Sequence, residues 1–218
     1  MSSRALPVRP PQRLTVDPFV SIIGDIADKG WCVVDDFVSV KWAAGLREEQ
    51  RQQSRGGAFR CAGVGRRDEY QLDAQTRGDR ILWLDRGNAL PAQQRYLTML
   101  EELRQAVNRD LFLGLHTLEM HAANYPPGGF YRRHLDGFRN DNRRILTVIL
   151  YLNPRWHASD GGALRLFLDA HPEGDFVDVP PESGRLVTFL SEGFHHEVRE
   201  TRRLRSSITG WFSCRPLQ

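Results

Sequence analysis

The chain has 218 residues and a formal net charge of +3, from 30 basic and 27 acidic side chains, a length that suits one medium domain able to fold without covalent staples. Its three cysteines, Cys32, Cys61 and Cys214, are odd in number and never form a C-x-x-C pair, which excludes a disulfide scaffold and argues against a zinc site. Met1 to Arg13 has no apolar core of signal-peptide length, and nowhere do about eighteen apolar residues run together, so the expectation is a soluble cytoplasmic protein with no membrane partner.

Residues 1–17 are rich in Pro and Arg without periodicity and are expected to form a flexible N-terminal arm ahead of a single domain over 18–218. From Pro18 to Lys29, the apolar residues Phe19, Ile22, Ile23 and Ile26 mark one helical face, and Gly30 stops the helix. Trp31 to Phe37 is a β-rich run that leads to a second helix, capped by Ser39, with Trp42 and Leu46 on its apolar side. Gly56 to Gly65 is expected to be a flexible connection, and Glu69 to Leu84 a short hairpin around Arg77-Gly78-Asp79. A long helix over Pro91 to Leu113 repeats apolar positions at Tyr96, Leu100, Leu103 and Val107. These elements make 18–114 a helical support.

Beyond Leu115 the texture changes to short β-rich runs at 117–125, 130–136, 144–153, 163–168, 185–190, 195–199 and 206–213. Breaks of Pro, Gly, Asn and Asp separate them, the pattern of an antiparallel sandwich or barrel. The expected fold class is therefore α+β, with helices buttressing one sheet of a β core over 115–218. All but two of the 30 basic residues (Lys29 and Lys41) are arginine, which reflects a GC-rich genome more than a nucleic-acid site. Arg66-Arg67, Arg132-Arg133, Arg143-Arg144 and Arg202-Arg203-Arg205 leave room for a positive rim facing a polar or acidic partner, but no nucleic-acid-binding motif accompanies them.

His134 and Asp136 flank one residue on an expected strand, so both side chains point to the same face. Alone this is a weak signal, since an ordinary hydrogen-bonded His beside a surface Asp gives the same spacing. A second histidine, in Phe194-His195-His196-Glu197-Val198, completes the two-histidine, one-carboxylate set that holds non-haem iron(II); zinc hydrolases use the same ligand types. Arg205 separates the two readings. On an extended strand Arg205, Thr209 and Trp211 share a face, offering a guanidinium fork, a hydroxyl and an indole wall to a dicarboxylate. Tyr151 shares its face with Thr147 and Ile149 and points a hydroxyl the same way, although a core tyrosine is an equal alternative. Tyr125 lies at the entrance, just before Pro126-Pro127-Gly128-Gly129.

The run from His121-Ala122-Ala123-Asn124-Tyr125-Pro126 through His134-Leu135-Asp136, Ile149-Leu150-Tyr151-Leu152-Asn153, Gly161-Gly162-Ala163-Leu164-Arg165, His196-Glu197-Val198 and Arg205 to Trp211 resembles the prolyl 4-hydroxylase branch of the 2-oxoglutarate oxygenases. Within that branch it is similar to the hypoxia-inducible-factor prolyl hydroxylases and their bacterial relatives. Weaker likeness extends to Gly30 through Phe37 and to Arg77-Gly78-Asp79 with Trp83. The resemblance implies a double-stranded β-helix (a jelly-roll, cupin-like barrel), iron(II) on His134, Asp136 and His196, and 2-oxoglutarate in a pocket of Tyr125, Ile149, Tyr151, Leu164, Thr209 and Trp211 around Arg205. It selects His196 over His195 through the His-Glu-Val match. It also implies a loop over the substrate at Arg77, Asp79 and Trp83, a substrate-side arginine at Arg143 or Arg144, and dioxygen and supporting ascorbate. Its implied partner is a proline-containing protein or peptide, a translation factor if the source is bacterial. Free proline or another small metabolite is the alternative substrate, and a non-catalytic metal-binding barrel a further reading. Two departures stand out: the loop between Asp136 and Arg143 is Gly-Phe-Arg-Asn-Asp-Asn, and His121 replaces an apolar pocket residue.

Overall fold

The computed structural model describes residues 18–63, 71–136, 144–169, 171 and 174–215; the N-terminal arm, Arg66-Arg67, Arg143 and the loop after Asp136 lie outside them. Helix α1 spans Pro18–Lys29, strand β1 Trp31–Val34, α2 Val40–Arg55, β2 Arg60–Cys61, β3 Arg80–Leu84 and α3 Pro91–Leu111. Strands β4 to β11 follow at Leu115–Tyr125, Tyr131–His134, Arg144–Tyr151, Leu164–Phe167, Phe176–Val179, Leu186–Leu190, His196–Val198 and Arg205–Cys214. They build a seven-stranded sheet in the order β1-β9-β6-β11-β4-β3-β2 and a four-stranded sheet in the order β5-β10-β7-β8. All pairings between named strands are antiparallel.

Side chains alternate along β6 and β11, and each strand is buried on both faces. Leu146, Val148 and Leu150 of β6, with Ile208 and Phe212 of β11, pack toward the helices, against Ile22, Ile26, Leu46, Tyr96, Leu100, Leu103 and Val107. The odd-numbered Ile149 and Tyr151 face the other way, against Leu164, Leu166, Val177 and Val179 of the small sheet. A strand buried on both faces is apolar except where a polar side chain has a partner or lines the site, as Thr147 of β6 and Arg205 and Ser207 of β11 do. Each fully buried Leu, Ile or Val contributes about 1.5–3 kcal/mol, so the helical layer clamps the large sheet from behind and leaves its inner face to the site.

Local chemistry sets the helix ends. Ser39 caps α2 by accepting from the Trp42 N–H. Helix α3 starts with Pro91, and the free N–H groups of Ala92 and Gln93 donate to the Glu49 carboxylate at 2.7 and 3.0 Å, which neutralises the positive helix end and ties α3 to α2. Phe112 takes a left-handed conformation (φ 55°) and ends α3 two residues earlier than the apolar period suggests. From α2, buried Gln50 donates to the Ala123 carbonyl and to Asn124 Oδ1, which also accepts from the Ser206 hydroxyl. This polar chain fixes β4 and β11 beside Arg205.

Five expectations need correction. Among the described residues no hairpin forms around Arg77-Gly78-Asp79: β3 pairs with β2 and β4, while Arg77 bridges Tyr131 and its guanidinium binds the buried Asp79 carboxylate at 2.8 and 2.7 Å. Intramolecular neutralisation of Asp79 turns this segment inward instead of back on itself. The connection after Gly56 contains β2, and Phe176–Val179 forms a strand too short to stand out in the sequence. A 3-10 turn at Ala158–Asp160 adds helical backbone to the second half. Finally, the strand expected over 130–136 ends at His134, and Asp136 sits in a bend beyond it.

Candidate active site

His134, at the end of β5, lies directly across the ladder from His196 of β10. Asp136 approaches both: its Oδ1 is 3.6 Å from His134 Nε2 and its Oδ2 3.5 Å from His196 Nε2. The three donor atoms lie within 4.8 Å of one another. His134 Nδ1 is 2.7 Å from the Arg132 carbonyl and His196 Nδ1 3.2 Å from the Phe194 carbonyl. A carbonyl only accepts, so each Nδ1 carries the hydrogen and each Nε2 turns a bare lone pair toward Asp136. Two imidazole nitrogens and a carboxylate converging on one point offer a cation three ligands, so these residues fit a metal ion.

Electrostatics agree. Burial pushes the Asp136 carboxyl up, but the imidazoles of His196 and His134 outweigh it and hold the group well below the usual carboxylate range. Burial lowers His196 to about 4, so it is neutral near pH 7. Behind the triad, Thr147 Oγ1 is 2.9 Å from Asp136 Oδ2 and 2.9 Å from Ser191 Oγ.

A cavity of about 410 Å³ opens from the triad and is lined along β11 by Arg205, Ser207, Thr209 and Trp211. Arg205 is 1% exposed, donates from Nε to the Gly162 carbonyl at 2.8 Å and approaches Ser207 Oγ at 3.5 Å. Its Nη2 and the hydroxyl of Tyr151 are buried without partners, and no acidic side chain pairs with Arg205 among the described residues. A buried guanidinium is costly unless an anion meets it. The free Nη2 and hydroxyl together fit one carboxylate of a cosubstrate. Tyr125 and Tyr151 hold the guanidinium between their rings, at 4.9 and 5.0 Å from their centroids.

Of the other residues singled out in the sequence, Tyr125, Ile149 and Leu164 line the cavity, and the fully buried Tyr151 stands beside Arg205. Arg77 lines it while paired to Asp79. Trp83, 49% exposed, stands at the mouth. Arg144 binds Glu119 at 2.8 Å and stacks 3.9 Å over Trp211; Arg143 lies outside the described residues.

Sequence reasoning missed Tyr131, which stacks on His134 with ring centroids 3.7 Å apart. Simple alternation puts Tyr131 and His134 on opposite faces. A register shift, with Val198 opposite Tyr131 and His196 opposite His134, inserts one extra residue in β5 and brings both inward. Ser207 was accessible from the parity of Arg205, and Thr147 from that of Tyr151. Glu119 and Ser191 carried no signal.

The sequence model of the 2OG-Fe(II) oxygenase superfamily matches residues 120–213. Human Egl nine homolog 1 is 34% identical over 194 residues, 84% of this chain. The crystal structure of a Pseudomonas putida prolyl-4-hydroxylase aligns with a TM-score of 0.81 at 41% identity, covering 91% of this chain and 100% of that one. The chain belongs to the 2OG-Fe(II) oxygenase superfamily. A Trichoplax adhaerens prolyl hydroxylase, solved with a hypoxia-inducible-factor oxygen degradation domain peptide, aligns at a TM-score of 0.79 and 25% identity, covering 90% of this chain and 89% of that one. The present chain spans 43% of the human relative's length. The 2OG-Fe(II) oxygenases share the double-stranded β-helix and work with iron(II), 2-oxoglutarate and dioxygen, and the His-Asp-His cluster fits iron binding. No helix among the described residues is long and apolar enough to cross a membrane.

Proposed function

We propose that this chain is a 2-oxoglutarate-dependent dioxygenase that hydroxylates a prolyl residue at C4 in a protein or peptide. The observation that carries the reading is the pairing, in one cavity, of a cation-ready His134-Asp136-His196 cluster with a buried, unpaired Arg205. Iron(II) on the triad supplies the redox chemistry that couples dioxygen to decarboxylation of 2-oxoglutarate, giving succinate, carbon dioxide and a hydroxylated product.

The protein's own part is binding and orientation. Arg205 and the Tyr151 hydroxyl clamp the far carboxylate of 2-oxoglutarate, while Tyr125, Ile149, Leu164, Thr209 and Trp211 wall its chain and exclude water. Thr147 donates to Asp136 and keeps its other oxygen turned toward the metal position. At the mouth, Trp83, half-exposed Leu135 and the neutralised pairs Arg77–Asp79 and Arg144–Glu119 form a surface for the segment carrying the proline. The peptide held by the Trichoplax relative supports a peptide over a free amino acid. One packed core joins Ile22 to Phe212, which supports residues 18–218 as one catalytic unit. Free thiols at Cys32, Cys61 and Cys214 support a reducing cytoplasmic setting.

The test is incubation with iron(II), 2-oxoglutarate, ascorbate and a host lysate. The expected result is iron-dependent succinate release, lost in His134→Ala and Arg205→Ala, and a prolyl residue that gains the mass of one oxygen atom, with translation factors inspected first. Oxidation of free proline with no protein modified would replace the protein substrate by a metabolite. Equal activity with zinc would remove the oxygenase reading.

A further inference from the structure

His121 is a buried titratable group in the cavity for which the proposed chemistry has no use so far. It sits on β4, opposite Trp83 of β3 on one side and Thr209 of β11 on the other. Its ring meets both neighbouring indoles edge-on, with centroids 5.2 Å from Trp83 and 5.1 Å from Trp211. The residue is 5% exposed and lines the cavity. Its Nδ1 is buried with no hydrogen-bond partner. Burial lowers its protonation to about 3, opposed by Asp79 and reinforced by Arg77 and Arg144. The ring is therefore a neutral imidazole with one donor and one acceptor to offer.

A histidine that merely filled this wall would leave that buried nitrogen unpaired where an apolar side chain would pack without the penalty. Its level in the ladder says which ligand group it meets. Arg205 pairs with Tyr125, Thr209 with His121, and Trp211 with Glu119. His121 is thus two side-chain steps from the Arg205 level and one from Trp211, toward the end of the cavity that holds Asp136. The Arg205 side chain reaches along the strand to within 3.5 Å of Ser207 Oγ, so its guanidinium stands about one step, roughly 6.6 Å, from this level, a span that the two ends of a five-carbon diacid bridge.

We infer that His121 is a specificity-determining residue whose ring N–H donates to the metal-side carboxylate of 2-oxoglutarate, so that the pocket reads both ends of the cosubstrate. This rests on the oxygenase reading above. The test uses anaerobic calorimetry on the full chain loaded with manganese(II), titrated with 2-oxoglutarate and, separately, with 4-oxopentanoate, which keeps the far carboxylate and the oxo group but has a methyl in place of the metal-side carboxylate. His121→Leu should weaken 2-oxoglutarate binding by roughly ten- to a hundredfold, the range for a hydrogen bond to a charged group, and leave 4-oxopentanoate binding unchanged. His121→Gln, which retains a donor, should stay close to wild type for both.

Unchanged 2-oxoglutarate affinity in His121→Leu overturns the inference. So does a parallel loss for both ligands, which would mean a packing role, or an effect confined to the KM of the prolyl substrate, which would place the imidazole on the substrate. Failure of the wild-type protein to bind 2-oxoglutarate would instead remove the oxygenase reading itself.

Discussion

Replacing Thr147 by valine tests whether the metal position is held from behind. Thr147 is fully buried, with its hydroxyl 2.9 Å from both Asp136 Oδ2 and Ser191 Oγ. A carboxylate oxygen only accepts, so Thr147 donates to Asp136 and accepts from Ser191. Valine keeps the shape and removes both bonds. A hydrogen bond to a charged group is worth about 1.5–3 kcal/mol, which corresponds to roughly ten- to 150-fold in metal affinity. The independent range for partners behind metal ligands, about ten- to a hundredfold, overlaps it. The orphaned Ser191 hydroxyl should also cost about 1–3 kcal/mol of stability, a fall in Tm of roughly 2–4 °C per kcal/mol at this chain length. Thr147→Val/Ser191→Ala removes the orphan, so it should recover much of the Tm without recovering metal affinity. Metal titration under anaerobic conditions and thermal melts of the metal-free protein read the two effects separately. If Thr147→Val lowers Tm but leaves metal affinity intact, Thr147 only packs and Asp136 is positioned by something else.

Arg205→Met should abolish 2-oxoglutarate binding by calorimetry yet leave the ligand-free protein as stable as wild type or more so, because it removes a buried cation with no acidic partner; a large loss of Tm would contradict the reading of Arg205 as a ligand clamp. Gly162→Ala should raise the KM for 2-oxoglutarate, since Gly162 has φ +66° and an added Cβ would stand 3.2 Å from Arg205 Cδ and 3.1 Å from Thr201. The backbone strain alone is about 1–2 kcal/mol, and an unchanged KM would show that the guanidinium tolerates displacement. For the metal-free protein, burial lowers His121 from 6.5 to about 3 and His196 from 6.5 to about 4. With both folded values depressed, the unfolded chain takes up protons first, so stability is full above pH 6.5 and falls as pH drops toward 4 and 3. Each group then costs roughly 2 kcal/mol at pH 5. Urea melts at pH 7 and pH 5 should show this slope, and His121→Leu should flatten it.

Much of this was legible because period-2 and period-3.6 patterns are imposed by burial that the fold then delivers. Ile22, Ile26, Leu46, Tyr96, Leu100, Leu103 and Val107 are all buried against the large sheet, as their helical spacing requires. Arg205, Thr209 and Trp211 line one cavity because β11 stays regular between β4 and β6 over that stretch. What escaped depends on register and on charge pairing, neither of which leaves a periodic trace. Asp79 attracts Arg77 across two residues, and that pair turns the chain where a hairpin was expected.

The metal cluster itself is the sharpest case. The i, i+2 argument places His134 and Asp136 on one face, but consecutive same-face residues of a regular strand stand about 6.6 Å apart along it, too far to share an ion comfortably. The ladder instead stops at His134, and the bend at Asp136 brings its carboxylate to 3.6 Å from one imidazole and 3.5 Å from the other. The extra residue in β5 opposite His196 and Val198 serves the same end, since it lets Tyr131 stack on His134 from within the cavity. Strand spacing thus identified the right residues for an incomplete reason: the site forms where the strand is broken, and Thr147 of the other sheet meets the broken end with its hydroxyl 2.9 Å from Asp136 Oδ2.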